Sequence, residues 1–228
     1  MEQQKDDFIG IASHELRTPL TSIKVYAELL ADMFEEKHDT TAVLYMQKLD
    51  NQVDRITGLV SSLLDTARIS EGQLNLQQES FDMNELIERQ IKELKHLSRA
   101  HELLFKPGKL KHVKADKERV AQVITNFLTN AIKYSPKGGK VIIASEEIAD
   151  GVRVSVKDSG MGIPDELQEK IFDRFFRINN PAVQTFPGMG IGLYIAQNII
   201  QRHKGRIGVE SETGKGSEFY FFLPYDEE

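Results

Sequence analysis

Apolar residues recur three and four positions apart through the first seventy residues. At about 100° per helical residue, with Ala12 set at zero, Phe8, Ile9, Leu16, Leu20, Ile23, Ala27, Leu30 and Phe34 fall within about 120° of arc, the width of one buried stripe. This predicts a helix from residue 1 to about residue 36. Glu35-Glu36-Lys37-His38-Asp39-Thr40 reads as a turn, with Asp39 or Thr40 as N-cap of a second helix to about Ile69. In that helix Met46, Leu49, Val53, Ile56, Val60, Leu63 and Ala67 form a heptad seam. Two seam-bearing helices joined by a short turn make an antiparallel hairpin. One hairpin cannot bury both seams and remain compact, whereas pairing two hairpins into a four-helix bundle can, so the pattern predicts a homodimer. A long hairpin docked on a second domain is the competing arrangement.

Beyond Ile69 the pattern changes. Gly72 is placed to cap the helix, and the polar stretch to Ser80 reads as a linker or short strand. Asp82 and Glu85 have capping-box spacing and open a helix carrying Leu86, Ile87, Ile91 and Leu94. Leu103–Phe105 and His112–Ala115 read as short strands around a Pro107-Gly108 turn. Asp116 caps a helix to about Tyr134. Residues 141–144 and 152–156 form a predicted hairpin across Asp150-Gly151. A short helix around Asp165 to Phe176, a loop to Gly188, a helix from Gly192 to about His203 and two closing strands joined through Gly214-Lys215-Gly216 complete the chain. Strands with helices between them, not in strict alternation, indicate an α+β sandwich. The expected division is 1–70 for the hairpin, 71–80 for a linker and 81–228 for the sandwich.

Composition narrows the function classes. A net charge of −6 over 228 residues argues against a general nucleic-acid or anionic-membrane binder. With no cysteine there is neither a disulfide nor a thiolate metal site, which suits a reducing compartment. No apolar run approaches about 18 residues, and the polar start Met1-Glu2-Gln3-Gln4-Lys5-Asp6-Asp7 does not resemble a signal peptide. The chain starts only a turn or two before its key helix, so we expect a piece of a longer protein that lacks its sensor region.

Candidate chemistry lies in four places. His14 falls at about 200° on the first helix, almost opposite the apolar stripe, with Thr18 one turn on and about 40° away. Pro19 removes the bond to the Glu15 carbonyl and tends to kink the axis there. By periodicity alone His14 reads more readily as an inconsequential surface histidine. Asn126, Asn130 and Lys133 sit at i, i+4 and i+7, within about 60° on one helix face. Amide oxygens suit Mg²⁺ and a lysine suits phosphate, but surface polar residues would give the same pattern. Asp158-Ser159-Gly160-Met161-Gly162-Ile163 and Gly188-Met189-Gly190-Ile191-Gly192-Leu193 each carry glycines two apart, which allow close backbone approach and can present N–H groups to anions. There is no Walker-type or dinucleotide-binding glycine pattern.

The eight residues Ser13-His14-Glu15-Leu16-Arg17-Thr18-Pro19-Leu20 closely resemble the phosphoacceptor box of bacterial sensor histidine kinases. Residues 126–135, 158–164, 172–177 and 188–193 resemble, in order, the N, G1, F and G2 boxes of that family's catalytic domain. The resemblance covers nearly the whole chain and implies a dimeric helical bundle followed by a Bergerat ATP-binding sandwich. It implies that His14 accepts a phosphoryl group from ATP, with Glu15 as the base. Asn130, helped by Asn126, would hold Mg²⁺. Lys133 and Tyr134 would contact phosphates. Asp158 would accept from the adenine amino group, in a pocket shaped by Gly160, Gly162 and Ile163. Arg177 would meet the γ-phosphate. Residues 179–187 would form a lid, with Gly188, Gly190, Gly192 and Leu193 as its hinge and phosphate cradle. Met189 stands where a threonine is common, and Lys204 where a glycine often follows the histidine.

The expected activity is ATP-dependent autophosphorylation on His14, then transfer to an aspartate on the receiver domain of a response regulator. Glu15-Leu16-Arg17-Thr18 resembles the E-x-x-T pattern used by relatives to dephosphorylate their regulators, which makes Thr18 a phosphatase candidate. A cytoplasmic location is expected, with any membrane anchor in the missing sensor region. Two alternatives stay open: a chaperone- or repair-type ATPase of the same fold, which would not need the histidine box, and a nucleotide-binding dimeric scaffold or phosphatase-dominant module with little kinase flux.

Overall fold

The structure is a computed structural model and describes residues 20–34, 40–95, 100–178 and 189–225. The chain divides into two compact units, Met1–Leu74 and Asn75–Glu228.

In the first unit, helix α1 is described over 20–34 and α2 spans Thr40–Ser70. Leu20 clusters with Val53 and Val60, while Lys24 pairs with Asp54 at 2.6 Å and with Asp50 at 3.5 Å. Later positions of α1 therefore meet earlier positions of α2, which is an antiparallel hairpin. Helix α2 ends as the sequence suggests. Gly72 takes a left-handed φ of 72°, its N–H donates to the Ile69 carbonyl, and Gln73 N–H donates to the Arg68 carbonyl, a Schellman-type stop. Only part of the expected seam is buried within one chain. Ala27, Val53, Val60 and Ala67 are, while Ile23, Leu30, Leu49 and Ile56 are each 40–45% exposed.

The second unit is a two-layer α/β sandwich. Its main sheet has the order β2-β4-β5-β7-β6, with β2 His101–Lys106, β4 Gly139–Ile148, β5 Gly151–Lys157, β6 Arg206–Glu212 and β7 Gly216–Pro224. Helices α3 (Met83–Leu94), α4 (Lys117–Lys133) and α5 (Gly192–Arg202) form the other layer. Strands β4 and β7 alternate buried and less buried positions, and β5 between them is buried nearly throughout. Val141, Ile143, Val152, Val154, Val156, Phe219, Phe221 and Leu223 are buried, as are Val120, Ile124, Phe127, Ile195 and Ile199 of the helices. Phe127 lies 5.5 Å from Phe219 and 6.2 Å from Phe221 between ring centroids, with tilted planes, at the centre of this core.

The expected strands flanking Pro107-Gly108 are both present, and each pairs elsewhere in the unit. β2 runs parallel to β4, while β3 (Val113–Ala115) pairs antiparallel with β1 (Glu79–Phe81) in a separate ribbon. The intervening segment is held instead by Gly108, whose N–H donates to Ser145 Oγ and whose carbonyl accepts from Asn84 Nδ2. The expected helix around Asp165 to Phe176 is two 3₁₀ turns, Asp165–Leu167 and Lys170–Phe172. Asp173 leaves the helical region at ψ 148° and Phe175 turns left-handed at φ 65°, so no continuous helix can run through them.

Candidate functional site

The site is built around the C-terminal half of α4. Asp116 caps this helix by accepting from Arg119 N–H, so its register is fixed from the first turn. Asn126 and Asn130 then lie one turn apart, and Asn130 Nδ2 donates to Asn126 Oδ1 at 2.8 Å. That bond turns Asn126's oxygen toward its neighbour and leaves Asn130 Oδ1 as the amide oxygen not spent in the pair. Lys133 Nζ lies 4.7 Å from the Tyr134 ring centroid, at the end of the same helix.

Residues 158–163 form a strap between the end of α4 and the β6–β7 hairpin. Met161 N–H donates to the Tyr134 carbonyl, Gly214 N–H to the Met161 carbonyl, and Ile163 N–H to Ser211 Oγ. Gly162 sits in this strap at φ 68°, tight against the Glu212 carbonyl. Asp158 is buried, only 5% exposed, and both backbone bonds to its carboxylate fall on Oδ1, from Gly160 N–H at 2.7 Å and Ser217 N–H at 3.3 Å. Burial pushes its pKa above the usual carboxylate range, opposed by those two N–H groups. The buried Ser135 hydroxyl also favours the charged form; it has no partner in hydrogen-bond geometry, so it acts as a nearby dipole. A carboxylate with one oxygen tied down, beside an orphaned buried hydroxyl, is a polar pocket whose hydrogen bonding is incomplete.

The start of α5 closes the arrangement. Its N-cap residue, Ile191, makes no side-chain cap bond, so the first-turn N–H groups remain available to an anion. A side chain at Gly192 would strike the Asn126 amide and displace it, so glycine there lets the helix start lie against Asn126 as it stands. Gly190, at φ 71°, is packed against the Phe176 carbonyl and the Arg177 stem, which ties this helix start to residues 175–177. Leu193 is half-buried and Arg177 exposed. Asn126, Asn130 and Gly192 are thus in direct contact, Asp158 and Gly160 form a second pair, and Tyr134 bridges the two, its N–H donating to the Asn130 carbonyl and its own carbonyl accepting from Met161 N–H. His14, Glu15, Thr18, Gly188 and the expected lid at 179–187 lie outside the described residues. Sequence reasoning gave no role to Ser217 or Ser135. Ser217 follows the Gly214-Lys215-Gly216 turn, a signal for a hairpin but not for what its amide would meet. Among the described residues no group of three or more His, Asp or Glu could hold a metal ion.

Residues 4–72 match the His Kinase A (phospho-acceptor) domain, and residues 115–227 match the family described as histidine kinase-, DNA gyrase B-, and HSP90-like ATPase. The chain belongs to the sensor histidine kinase family. Its ATP-binding unit carries the incomplete polar pocket described above, and the histidine box falls within the residues matched to the phospho-acceptor domain. Among curated relatives, it is 34% identical to the sensor histidine kinase WalK of Bacillus subtilis (strain 168), covering 100% of this chain and 38% of that protein. It is 35% identical to the adaptive-response sensory kinase SasA of Thermosynechococcus vestitus, covering 97% and 60%. The chain therefore spans less than two thirds of either relative. Among solved structures, full-length ShkA in complex with AMPPNP matches with a TM-score of 0.78 at 26% identity, covering 97% of this chain and 46% of that one. The catalytic domain of histidine kinase ThkA matches with a TM-score of 0.57 at 35% identity, covering 65% of this chain and 96% of that domain. ThkA in complex with the response regulator TrrA matches with a TM-score of 0.61 at 28% identity, covering 99% and 64%. Among the described residues no helix is long and apolar enough to cross a membrane.

Proposed function

We propose that this sensor histidine kinase core uses ATP to phosphorylate His14 and then passes the phosphoryl group to an aspartate on a response-regulator receiver domain. The observation that carries the reading is the buried Asp158 carboxylate, with Oδ1 held by two N–H groups beside an unpartnered Ser135 hydroxyl. A nucleobase amino group is the donor such a pocket lacks. Asn130 Oδ1 would hold Mg²⁺, with Asn126 setting the orientation of that amide and the α5 N-terminus facing the phosphates. When bound, Mg²⁺ supplies charge neutralisation along the triphosphate.

In the transfer step the unprotonated imidazole nitrogen of His14 attacks the γ-phosphorus. A P–N bond forms, the bond to the β-phosphate bridging oxygen breaks, and ADP leaves. Glu15 takes the proton from the other ring nitrogen, and Arg177 meets the γ-phosphate charge. ATP as donor places this core in the cytoplasm. The protein works as a homodimer, because the exposed half of the α1–α2 seam needs a second copy to cover it.

Incubation with γ-labelled ATP tests the activity. The expected product is an acid-labile, base-stable label on the protein that disappears in His14→Gln. Release of free phosphate without protein label would overturn the kinase reading in favour of an ATPase. Thr18 would position the water that removes phosphate from the regulator. Thr18→Ala is expected to leave autophosphorylation intact and lower regulator dephosphorylation by about tenfold. Assaying the two rates on the same preparation checks it, and a joint collapse would assign Thr18 to the phosphoacceptor geometry.

A further inference from the structure

Asp116 does more than cap α4. A cap needs one side-chain oxygen, and Oδ1 serves it by accepting from Arg119 N–H at 3.0 Å. Oδ2 accepts from the backbone N–H of Gln77 at 2.9 Å. Gln77 lies just inside the start of the ATP-binding unit at Asn75. The β1–β3 ribbon pairs Glu79 with Ala115, so two steps beyond that pair the ladder would set Gln77 against Lys117. Lys117 is already the first residue of α4 and its backbone is turned into the helix. The Asp116 carboxylate therefore supplies the acceptor that a strand would have supplied, and it holds the segment 75–78 to the root of α4.

Behind Asp116 stands His203. The Asp116 N–H donates to His203 Nε2 at 2.9 Å, and His203 Nδ1 lies 2.8 Å from the Ile199 carbonyl. A carbonyl can only accept and an N–H can only donate, so the ring is the neutral tautomer protonated at Nδ1. Asp116 and His203 are 8% and 7% exposed. Through this ring, Asp116 is tied to the C-terminal turn of α5. The N-terminal turn of α5 rests on Asn126 through Gly192. Both ends of α5 are thus clasped to α4, at its N-cap and at its middle, and the entering chain is fastened to the clasp.

We propose that Asp116, set by His203, is a positioning residue for phosphoryl transfer: it fixes the path of residues 75–78 at the root of α4, the segment through which the chain enters the ATP-binding unit. This rests on the kinase reading above. Neither residue touches substrate. The pair acts by holding the chain segment that joins the ATP-binding unit to the hairpin.

Three variants of the full chain test it. Gln77→Pro removes the N–H and leaves the carboxylate, while Gln77→Ala keeps the N–H and removes only the side chain. Asp116→Ser keeps a capping oxygen and removes the second acceptor. Three measurements are made: amide hydrogen exchange over residues 75–78, the dissociation constant of a fluorescent ATP analogue, and the autophosphorylation rate at saturating ATP. Asp116→Ser and Gln77→Pro are expected to speed exchange in the segment and slow autophosphorylation by about tenfold, as expected for misplaced reactants. Analogue affinity should stay within about twofold of the parent, and Gln77→Ala should match the parent throughout. Equal rates for Gln77→Pro and Gln77→Ala overturn the proposal. So does a loss of analogue affinity as large as the loss of rate, which would make the clasp part of ATP-site stability. A parent chain that binds the analogue but takes up no label overturns the kinase reading itself, a result distinct from either of these.

Discussion

The two units treat the same kind of signal in opposite ways. In the hairpin, Ile23, Tyr26, Leu29, Leu30, Met33, Leu44, Tyr45, Leu49 and Ile56 stay at least 40% exposed in the single chain. In the ATP-binding unit, Phe175 is the only large apolar residue that is comparably exposed among the described residues. Phe127, Phe221, Ile124, Leu128, Ile143, Ile199 and Ile200 are essentially sealed there. Both regions have clear hydrophobic periodicity, but only one closes its core by itself. Periodicity specifies a face to be covered. Whether the cover comes from the same chain depends on how many layers the local sequence provides, and a lone hairpin provides too few.

The sharpest way to break this contrast is Val53→Asp with Ile56→Asp. In a dimer this puts four carboxylates into the bundle core, at a cost of several kcal/mol. Light scattering should then report a monomer, while fluorescent nucleotide binding by the ATP-binding unit persists. Loss of both together would show that the units are not independent. A wild-type monomer at tens of micromolar (about 10⁻⁵ M, a range in which a stable dimer stays associated) would remove the covered-face argument altogether.

Asp158→Asn probes the opposite region, where burial is complete but strained by a charge. Because the folded pKa is raised, ionisation of this carboxylate destabilises the fold progressively as pH rises from the ordinary carboxylate value through the folded one. The amide is isosteric and can still accept from Gly160 and Ser217. At neutral pH the variant is therefore expected to melt about 3 °C higher, with the gain vanishing in acid. Its nucleotide affinity should fall by about tenfold or more, ~1.4 kcal/mol, because a donor then faces the adenine amino group. Calorimetry and nucleotide titration across pH check the two halves.

A smaller effect is expected from Asn130→Asp. The added negative charge beside the triphosphate repels substrate although a carboxylate can hold Mg²⁺. Autophosphorylation should drop by about tenfold and recover in part at high Mg²⁺. Wild-type rates across a Mg²⁺ series would remove Asn130 from the metal site. The smallest effect belongs to the hairpin surface. The hydrogen bond to Asp54 raises the Lys24 pKa. Its contribution is whole below the ordinary lysine value and is lost as pH rises through the raised one. Lys24→Met should therefore shift hairpin melting slightly at neutral pH and not at all in strong alkali, where exposed pairs count for nothing.

Local signals were legible where the partner lay nearby in the chain. Asp82 and Asp116 announce their helices, and each accepts the N–H bonds that its spacing suggests. The Asp150-Gly151 turn does join β4 to β5. The glycines at 190 and 192 do permit close approach, although only the structure reveals that the approached groups are the Phe176 carbonyl and the Asn126 amide. What stayed hidden depends on distant partners. Nothing near Leu103 indicates a parallel neighbour at Val141, and nothing near Asp158 indicates that Ser217 will supply an amide. The pairing of Asn130 with Asn126 was visible as spacing, but not which oxygen would be left over.

The parallel pairing of β2 with β4 has a consequence for synthesis. The chain must leave the end of β2, pass through β3 and α4, and return before β4 can align. The asparagines of α4 therefore lie inside a crossover that has to be completed first. The Asp158 carboxylate then waits for an amide 59 positions downstream, at the start of the final strand. Pairings of such high sequence separation form late. A nascent chain on the ribosome is consequently mute to ATP until β7 has emerged, and the first nucleotide it holds reports that the sheet has closed.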